Sequence, residues 1–296
     1  MTGPATSRIE ALALWRSPNL RIRELAGGLS NISFLVEDGS ERFVVRCGED
    51  IPAHHVFREH ERDVSLAAHA AGLSPELVHA EPGLMVFRFV EGRTWTEADM
   101  RAGIGPLGAL LRRCHRDMGP RVRGPGRFFW VFHVLRDYAA TLARGGSPFL
   151  TVVERIMPLV DRLEARQPPM PVVFGHHDLL PGNVIDDGAR LWLIDWEYGA
   201  FGTPLFDLAN ASTNASYATA QDEELLATYF GGPPDGAVVA AFDAMKVAST
   251  LREAVWAMVS DLHLRRPGAD YHAHAAEYLS RTDAALERFR YRHGEP

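Results

Sequence analysis

The residues with the clearest capacity for chemistry lie in one stretch, residues 175–209, which reads GHHDLLPGNVIDDGARLWLIDWEYGAFGTPLFDLA. It holds His176, Asp178 and Asn183 in the order H-x-D-x-x-x-x-N, and Asp195 follows at the end of the apolar run LWLI. Phosphoryl transfer requires a carboxylate that orients an attacking hydroxyl and accepts its proton, together with oxygen ligands that hold magnesium against a triphosphate. Asp178 has the chemistry of that base, and Asn183 and Asp195 supply the hard oxygen donors that magnesium prefers.

Turn signals within the same stretch explain how these side chains would meet. A Pro-Gly pair bends the loop between Asp178 and Asn183. The sequence Asp-Asp-Gly at residues 186–188 is typical of a hairpin turn, and such a hairpin would return Asp195 to the side of Asn183. A single acid of this kind is more often a solvated loop residue, but the complete set favours a phosphoryl-transfer site.

Upstream residues offer groups that would bind phosphate. Gly28, Ser30 and Asn31 lie between two β-rich runs, and glycine lets backbone N–H groups approach phosphate oxygens while the polar side chains add donors. Alternation along the strand RFVVR turns Arg46 towards the predicted cleft. Glu61 falls on the apolar face of the following helix, where an acid needs a partner, and Arg46 is the predicted one. The alternative is a surface helix with scattered acids.

The order of elements predicts an α+β protein with two lobes. Residues 1–90 read as hairpin, helix and hairpin, which predicts a small antiparallel-sheet N-lobe with one helix, from about residue 56 to residue 71, that binds the nucleotide. Residues 91–296 read as a larger, mainly helical C-lobe with the catalytic loop, the metal site and the substrate pocket.

Composition excludes several classes of partner. The chain has 296 residues, 46% of them hydrophobic, and a net charge of -7, so a nucleic-acid partner is not expected. Cys47 and Cys114 form no CxxC pair, which argues against a thiol zinc site or a disulfide framework. Because the sequence shows no signal-peptide pattern and no apolar run of about 18 residues, we expect a cytoplasmic protein without a membrane partner. The sequence does not indicate an oligomeric state.

On these residues the chain resembles the choline/ethanolamine kinase branch of the aminoglycoside phosphotransferase family, whose members have a protein-kinase-like fold. The resemblance is most specific in GHHDLLPGNV, LWLIDWEY and PLFDLA, and the run FREHERDVSLAAHAAGLSPELV is similar to the family's N-lobe helix and following strand. It implies a kinase that uses ATP and Mg²⁺ to phosphorylate a hydroxyl group of a small amino alcohol, such as choline or ethanolamine.

The resemblance also implies roles for individual positions in the catalytic segment. Asp178 matches the catalytic base, and Asn183 and Asp195 match the magnesium ligands. Glu197 matches an acid beside the metal. Asp207 resembles a structural acid that braces the catalytic loop.

Three further implied roles concern the nucleotide. Arg46 takes the position of a phosphate-binding Lys or Arg, and Glu61 that of its helix partner. Phe87 and Phe89 belong to the implied hinge, whose backbone would hydrogen-bond adenine.

The substrate positions depart from the family pattern. In the helix STLREAVWAMVSD, Trp256 fits an aromatic ring of a cation cage, but Glu253 stands one turn earlier where a second Trp is expected. Asn214 stands where an acid is expected. A carboxylate accepts hydrogen bonds from an N–H amine, which a trimethylammonium group cannot donate, so a primary or secondary amine is favoured over choline. Core packing is the alternative role of Trp256.

Other functions remain open from the sequence. Aminoglycoside or thiamine kinases of the same fold are alternatives, as is a non-catalytic nucleotide-binding relative. A protein kinase is disfavoured because no activation segment of the DFG–APE type follows Asp195.

Overall fold

The computed structural model describes residues 4–25, 31–264 and 268–296. Asn31, at the end of the predicted phosphate-binding turn, is described. Gly28 and Ser30 of that turn lie outside the described residues.

Among the described residues, the N-terminal part is built on an antiparallel sheet of five strands in the order β1-β2-β3-β5-β4. The β2–β3 hairpin turns at Gly39, whose φ of 64° lies in the left-handed region that favours glycine. The ladder places Arg46 of β3 between Ser33 of β2 and Met85 of β5. The strands are β1 (Arg21–Leu25), β2 (Ile32–Asp38), β3 (Glu41–Cys47), β4 (Leu77–Glu81) and β5 (Leu84–Arg88).

Two helices accompany this sheet, where the sequence predicted one. The expected helix, α2 (Arg58–Ala70), buries Glu61 and Val64 on its inner face. The additional helix, α1 (Pro4–Glu10), packs Ile9 against the opposite face of the sheet. Seven residues are too few to show a helical period in the sequence, which explains why α1 was missed.

The remainder of the chain is mainly helical, with short strands around the catalytic segment. Its helices are α3 (Glu97–Ala102), α4 (Ile104–Asp117), α5 (Val131–Arg144), α6 (Leu150–Ala165), α7 (Pro204–Asn214), α8 (Thr219–Phe230), α9 (Gly236–His263) and α10 (Tyr271–His293). Its strands are β6 (Arg93–Thr94), β7 (Val173–Gly175), β8 (Val184–Asp186), β9 (Leu191–Leu193) and β10 (Ala200–Gly202). This mixture of a small antiparallel sheet and a larger helical part confirms the predicted α+β class.

Helix α9 is the centre of the larger hydrophobic core. It is buried along most of its length, and it packs on α5, α6, α7 and α10. The core extends to α2 through Val64 and Ala68, so the sheet-side helix shares its apolar contacts with the helical part. Within the described ranges, no helix is long and apolar enough to cross a membrane. The lobe boundary at residue 90 stays a prediction.

The catalytic segment forms the predicted hairpin. Strands β8 and β9 pair antiparallel, and β6 joins the outer side of β8. The Ile194 N–H donates to the Asn183 carbonyl at 3.0 Å, just beyond the last ladder pair. This bond brings the residue before Asp195 beside Asn183, as the turn signals indicated.

A buried histidine links the loop after β3 to the helical core. The Nδ1 of His54 lies 3.3 Å from the Tyr138 hydroxyl on α5, and its Nε2 lies 2.9 Å from the Ser260 hydroxyl on α9. Its ring also stacks on Trp256, with 4.9 Å between ring centroids. Burial, and secondarily the positive charge of Arg252, lowers the pKa of His54 to about 3.

This lowered pKa predicts a specific loss of stability in acid. The unfolded chain binds a proton at His54 below pH ~6.5, whereas the folded chain stays neutral there, so the free energy of unfolding falls as the pH falls. His54→Gln should reduce that slope by about 1.4 kcal/mol per pH unit between pH 4 and 6, measured by urea denaturation. Tyr138→Phe is the control, because it removes the partner hydroxyl without removing an acid-range titration. Equal slopes in wild type and His54→Gln would contradict the prediction.

Candidate active site

The loop after β7 holds the predicted base beside the predicted metal ligand. The Asn183 side-chain amide donates to the Asp178 backbone carbonyl at 2.9 Å and to its Oδ2 at 3.3 Å. Burial, opposed by Arg252 and aided by Glu253, raises the pKa of Asp178 well above its ordinary value. A carboxylate with a raised pKa is a stronger proton acceptor, which suits a group that must take the proton of an alcohol.

His176 lies beneath this loop with both ring nitrogens bonded to backbone. Its Nδ1 accepts from the Asp178 N–H at 3.3 Å, and its Nε2 donates to the Ile194 carbonyl at 2.9 Å. Burial lowers the pKa of His176, so the neutral ring is favoured. The ring therefore ties the base to the residue preceding Asp195, which is a positioning role.

Helix α7 braces the loop from behind with side chains on one face. Asp207 accepts from the His177 N–H at 2.7 Å and from the His176 N–H at 2.8 Å. Burial alone would raise the Asp207 pKa, but the hydrogen bond from His115 and the nearby imidazoles hold it well below its ordinary value. The role implied for Asp207, a structural acid behind the loop, is confirmed by these bonds.

Two asparagines complete this support at helical spacings of three and seven from Asp207. Asn210 Oδ1 accepts from the Leu179 N–H at 2.6 Å, and the Asn214 amide donates to the Leu179 carbonyl at 3.2 Å. The sequence suggested that Asn214 faces the substrate, whereas its buried amide is bonded to the loop. Asn210 was missed, although its spacing from Asp207 is a usable signal.

Asp195 occupies an uncommon backbone conformation. Its φ is 68°, in the left-handed region that a non-glycine residue adopts only where its surroundings enforce it. Its Oδ1 pairs with the Arg46 guanidinium at 2.7 Å. The side chain is partly exposed, unlike the other acids of the cluster.

Two arginines and two further carboxylates fill the space between β3 and α2. Arg46 pairs with Glu61 at 2.7 Å, which confirms the predicted pair. Arg58 pairs with Glu61 at 2.6 Å and with Glu197 at 2.9 Å. Burial, then repulsion from Asp195 and Glu61, raises the pKa of Glu197 to about 7. Glu197, predicted beside the metal, therefore lies within an arginine network rather than free of partners.

Arg58 was not identified from the sequence. It lies one turn before Glu61 on α2, and that spacing to an acid on an inward face is the signal that would have found it. The buried guanidinium bridges α2 to the segment after β9 through Glu197. Arg58 thus connects the sheet-side helix to the catalytic segment.

Asn31 reaches the same cluster from the strand side. Its side-chain amide donates to Glu197 Oε2 at 3.3 Å. A Cβ on Gly48 would lie 2.2 Å from Asn31 Oδ1, so only glycine leaves room for this side chain. Asn31 therefore connects the predicted phosphate-binding turn to Glu197 of the charged cluster.

The hinge residues have distinct environments. Phe87 is buried in β5 opposite Val44 of β3. The Phe89 N–H donates to the Arg42 carbonyl at 3.0 Å, and the Arg42 guanidinium lies over the Phe89 ring. The Phe89 N–H is thus committed to the sheet and is not one of the groups that remain for adenine.

The donor set at the end of the hairpin suits magnesium. The Asn183 amide nitrogen is committed to Asp178, which leaves its oxygen as the atom available to a cation. Asp195 adds a partly exposed carboxylate. Both are hard oxygen donors, and magnesium usually takes one or two protein oxygens together with substrate phosphates. In the described part of the chain, no group of three His, Cys, Asp or Glu side chains forms an all-protein metal site.

Two of the three predicted substrate residues, Glu253 and Trp256, lie one turn apart on α9, whereas Asn214 lies on α7. The Trp256 indole N–H donates to the Tyr198 hydroxyl at 3.2 Å, and its ring is buried against His54 and Tyr271. Glu253, one turn earlier, pairs with Arg252 at 3.1 Å. Arg252 is buried and was missed from the sequence; its position four residues before Trp256, and so on the same face of the helix, is the signal that would have found it.

These features suit a phosphotransferase, and comparison with known proteins establishes the family. A family model described as "Phosphotransferase enzyme family" matches residues 21–246. The match covers most of the chain, so the chain belongs to this family. The family resemblance drawn from the sequence is confirmed.

Individual relatives agree with this assignment. The chain is 29% identical to a choline/ethanolamine kinase family protein from Mesorhizobium loti, with a TM-score of 0.76 over 96% of this chain and 94% of that one. It is 26% identical to a probable ethanolamine kinase of Arabidopsis thaliana, over 80% of this chain and 72% of the relative. It is 24% identical to protein LicA of Haemophilus influenzae, over 69% of this chain. The chain spans 61% of that LicA's length. The protein-kinase-like fold is thereby confirmed.

The arginine network predicts a strong, local effect on stability. Arg58→Gln leaves Glu61 and Glu197 buried with one cation fewer, which should lower the free energy of unfolding by about 3 kcal/mol or more. Arg62→Gln is the matched control on the same helix, because Arg62 is partly exposed and pairs only at the surface; it should change stability by less than about 0.5 kcal/mol. Urea denaturation measures both. Equal losses would show that Arg58 has no special role.

Proposed function

We propose that this protein is a kinase that transfers the γ-phosphoryl group of ATP to a hydroxyl group of a small amino alcohol. The observation that carries the proposal is the convergence of Asp178, Asn183 and Asp195 on one side of a short hairpin. Arg46 approaches the same place from the sheet. Base, oxygen ligands and phosphate-binding cation are the groups that phosphoryl transfer requires.

Each protein group has a part in the proposed reaction. Asp178 would hold the acceptor hydroxyl in line and take its proton, while its bond to Asn183 keeps the carboxylate oriented. Asn183 and Asp195 would hold Mg²⁺, which when bound neutralises charge on the triphosphate. Arg46 would contact phosphate oxygens once ATP is present, because its guanidinium already lies against Asp195.

The acceptor side supports an amine rather than a quaternary ammonium. Trp256 lies one turn after Glu253 on α9, and Glu253 adds a carboxylate where a second ring is expected from the family resemblance. One Glu253 oxygen is bonded to Arg252, and the other is buried without a hydrogen-bond partner among the described residues. A primary ammonium group donates to such an oxygen, and a trimethylammonium group does not.

The first prediction from this proposal concerns the base. Asp178→Asn should lower kcat for amino alcohols by about 100- to 10,000-fold, because the amide cannot accept the proton. ATP affinity, measured by calorimetry, should stay within about threefold, since Asp178 serves the acceptor. Asp187→Asn, at a partly exposed acid at the tip of the same hairpin, is the control and should retain full turnover. A fully active Asp178→Asn variant would refute the proposed mechanism.

The second prediction concerns the acceptor. Ethanolamine should exceed choline in kcat/KM by about tenfold or more, because only its ammonium group satisfies the Glu253 oxygen. Glu253→Gln should narrow that ratio, measured by coupled ADP release with both alcohols. A preference for choline in the wild-type protein would remove Glu253 from substrate selection.

A further inference from the structure

The wall around Trp256 contains several buried polar atoms without partners. Among the described residues, no hydrogen bond reaches Arg252 Nε and Nη2, Glu253 Oε2, the Tyr271 hydroxyl or His274 Nε2. Tyr271 and His274 both contact the Trp256 ring, at 6.4 and 6.1 Å between ring centroids. Buried polar groups are normally satisfied, and each unsatisfied one costs about 1–3 kcal/mol. Such a concentration at one ring indicates a site built for a polar ligand.

Arg252 sets the chemistry of that ligand. Its side chain is 2% exposed, its guanidinium lies 4.5 Å from the centroid of the Tyr198 ring, and its Nη1 donates to Glu253 Oε1 at 3.1 Å. Packing therefore fixes the guanidinium with Nε and Nη2 unused, and these two atoms form the edge that binds a carboxylate with two parallel hydrogen bonds. An ammonium group cannot accept a hydrogen bond from this guanidinium edge. The hydroxyl group is the one acceptor of a simple amino alcohol, so such a ligand leaves the edge largely unsatisfied.

The charges of Arg252 and Glu253 favour the same kind of ligand. Glu253 is neutralised by Arg252, so the two side chains together present one free cationic edge and one free anionic oxygen. A lone cation would meet a buried arginine beside its carboxylate partner, which weakens the attraction. A ligand with an ammonium and a carboxylate on one carbon matches both free groups.

This wall adjoins the catalytic base. Ser249, one turn before Arg252 on α9, accepts from the Asn210 side-chain amide at 3.1 Å, and Asn210 in turn accepts from the Leu179 N–H, next to Asp178, at 2.6 Å. The Arg252 guanidinium also lies over the ring of Tyr198, whose backbone carbonyl is bonded to the ring of His177. A ligand held by the Arg252–Glu253 pair through its charged end would therefore direct a hydroxyl group towards Asp178.

We propose that the acceptor is a zwitterionic hydroxy amino acid, with its carboxylate on Arg252, its ammonium on Glu253 and its hydroxyl on Asp178. The proposal rests on the kinase function proposed above and narrows its substrate class. In the reaction the substrate oxygen forms a bond to the γ-phosphorus of ATP as the bond to the β,γ-bridging oxygen breaks. The hydroxyl proton passes to Asp178, and the products are ADP and the phosphorylated amino acid.

Pairs of acceptors that differ only by a carboxylate test the proposal on the wild-type protein. Serine is ethanolamine with one added carboxylate, homoserine stands in the same relation to 3-amino-1-propanol, and threonine to 1-amino-2-propanol. In at least one pair, the carboxylated member should have the higher kcat/KM by about tenfold or more. The methyl ester of that amino acid, which keeps amine and hydroxyl but lacks the charge, should lose the advantage.

Substitutions of Arg252 test whether this residue causes the preference for the carboxylated acceptor. Arg252→Gln should lower kcat/KM for the preferred amino acid by about 100-fold and for its decarboxylated partner by a clearly smaller factor, so that the preference is lost. Both acceptors share the effect of Arg252 on Asp178, whereas only the amino acid has the carboxylate contact. The double change Arg252→Gln with Glu253→Gln removes both charges and guards against misfolding caused by an unpaired Glu253. Arg288→Gln, an exposed arginine on α10, is the control and should keep the preference.

The outcomes separate the two proposals. Turnover of the amino alcohols with no preference for any carboxylated member would overturn this inference and leave the kinase function intact. Equal losses for both members of a pair in Arg252→Gln would also overturn it, because an arginine that contacts the transferred phosphoryl group acts on every acceptor. The absence of ADP release with all six alcohols and with choline would overturn both proposals.

Discussion

The buried pairing of Arg46 and Arg58 with Glu61, Asp195 and Glu197 is the constraint on which the rest of this site depends. Each of these charges would be costly to bury alone, and each is tolerated because an opposite charge lies within hydrogen-bonding distance. The network joins the sheet, helix α2 and the segment after β9. The charges that serve chemistry therefore also hold together the elements that carry them.

The catalytic loop has little regular structure, and side chains of helix α7 hold its backbone in position. Backbone N–H groups of the loop donate to the side chains of Asp207 and Asn210, and the Leu179 carbonyl accepts from the Asn214 amide. All three side chains lie on a single face of α7, which is itself packed on α9. Because the loop is bonded to a rigid helix, Asp178 is held in place without a strand or helix of its own.

Helix α9 has two functions along its length. Its apolar residues form the centre of the core, while Arg252, Glu253 and Trp256 are the residues proposed to bind the acceptor. A change of acceptor can therefore arise from one turn of a helix whose other turns are constrained by packing. The family fold is compatible with different acceptors for this reason, and the substrate has to be argued from side chains rather than from the fold.

Much of the candidate site was predicted from local sequence patterns. Spacing and turn residues predicted that a hairpin would return Asp195 to the side of Asn183, and Ile194, the residue before Asp195, is bonded there. Strand alternation and helical spacing predicted the Arg46–Glu61 pair. The hairpin–helix–hairpin order of residues 1–90 and the mainly helical character of the remainder were also predicted, because periodicity is a local property of the chain. The short helix α1 was missed because its stability comes from packing on the sheet rather than from its own seven residues.

The sequence by itself determined the α+β class of the fold and the family resemblance, and it indicated the residues that are proposed to carry phosphoryl transfer. Only the tertiary structure decided that Asn214 supports the loop, that Arg58 binds Glu197, and that Arg252 keeps an unpaired edge beside Glu253. These facts depend on contacts between residues far apart in the chain. Spacing reports which residues share a turn or a face, whereas the partner of a buried charge is set by the elements that pack around it.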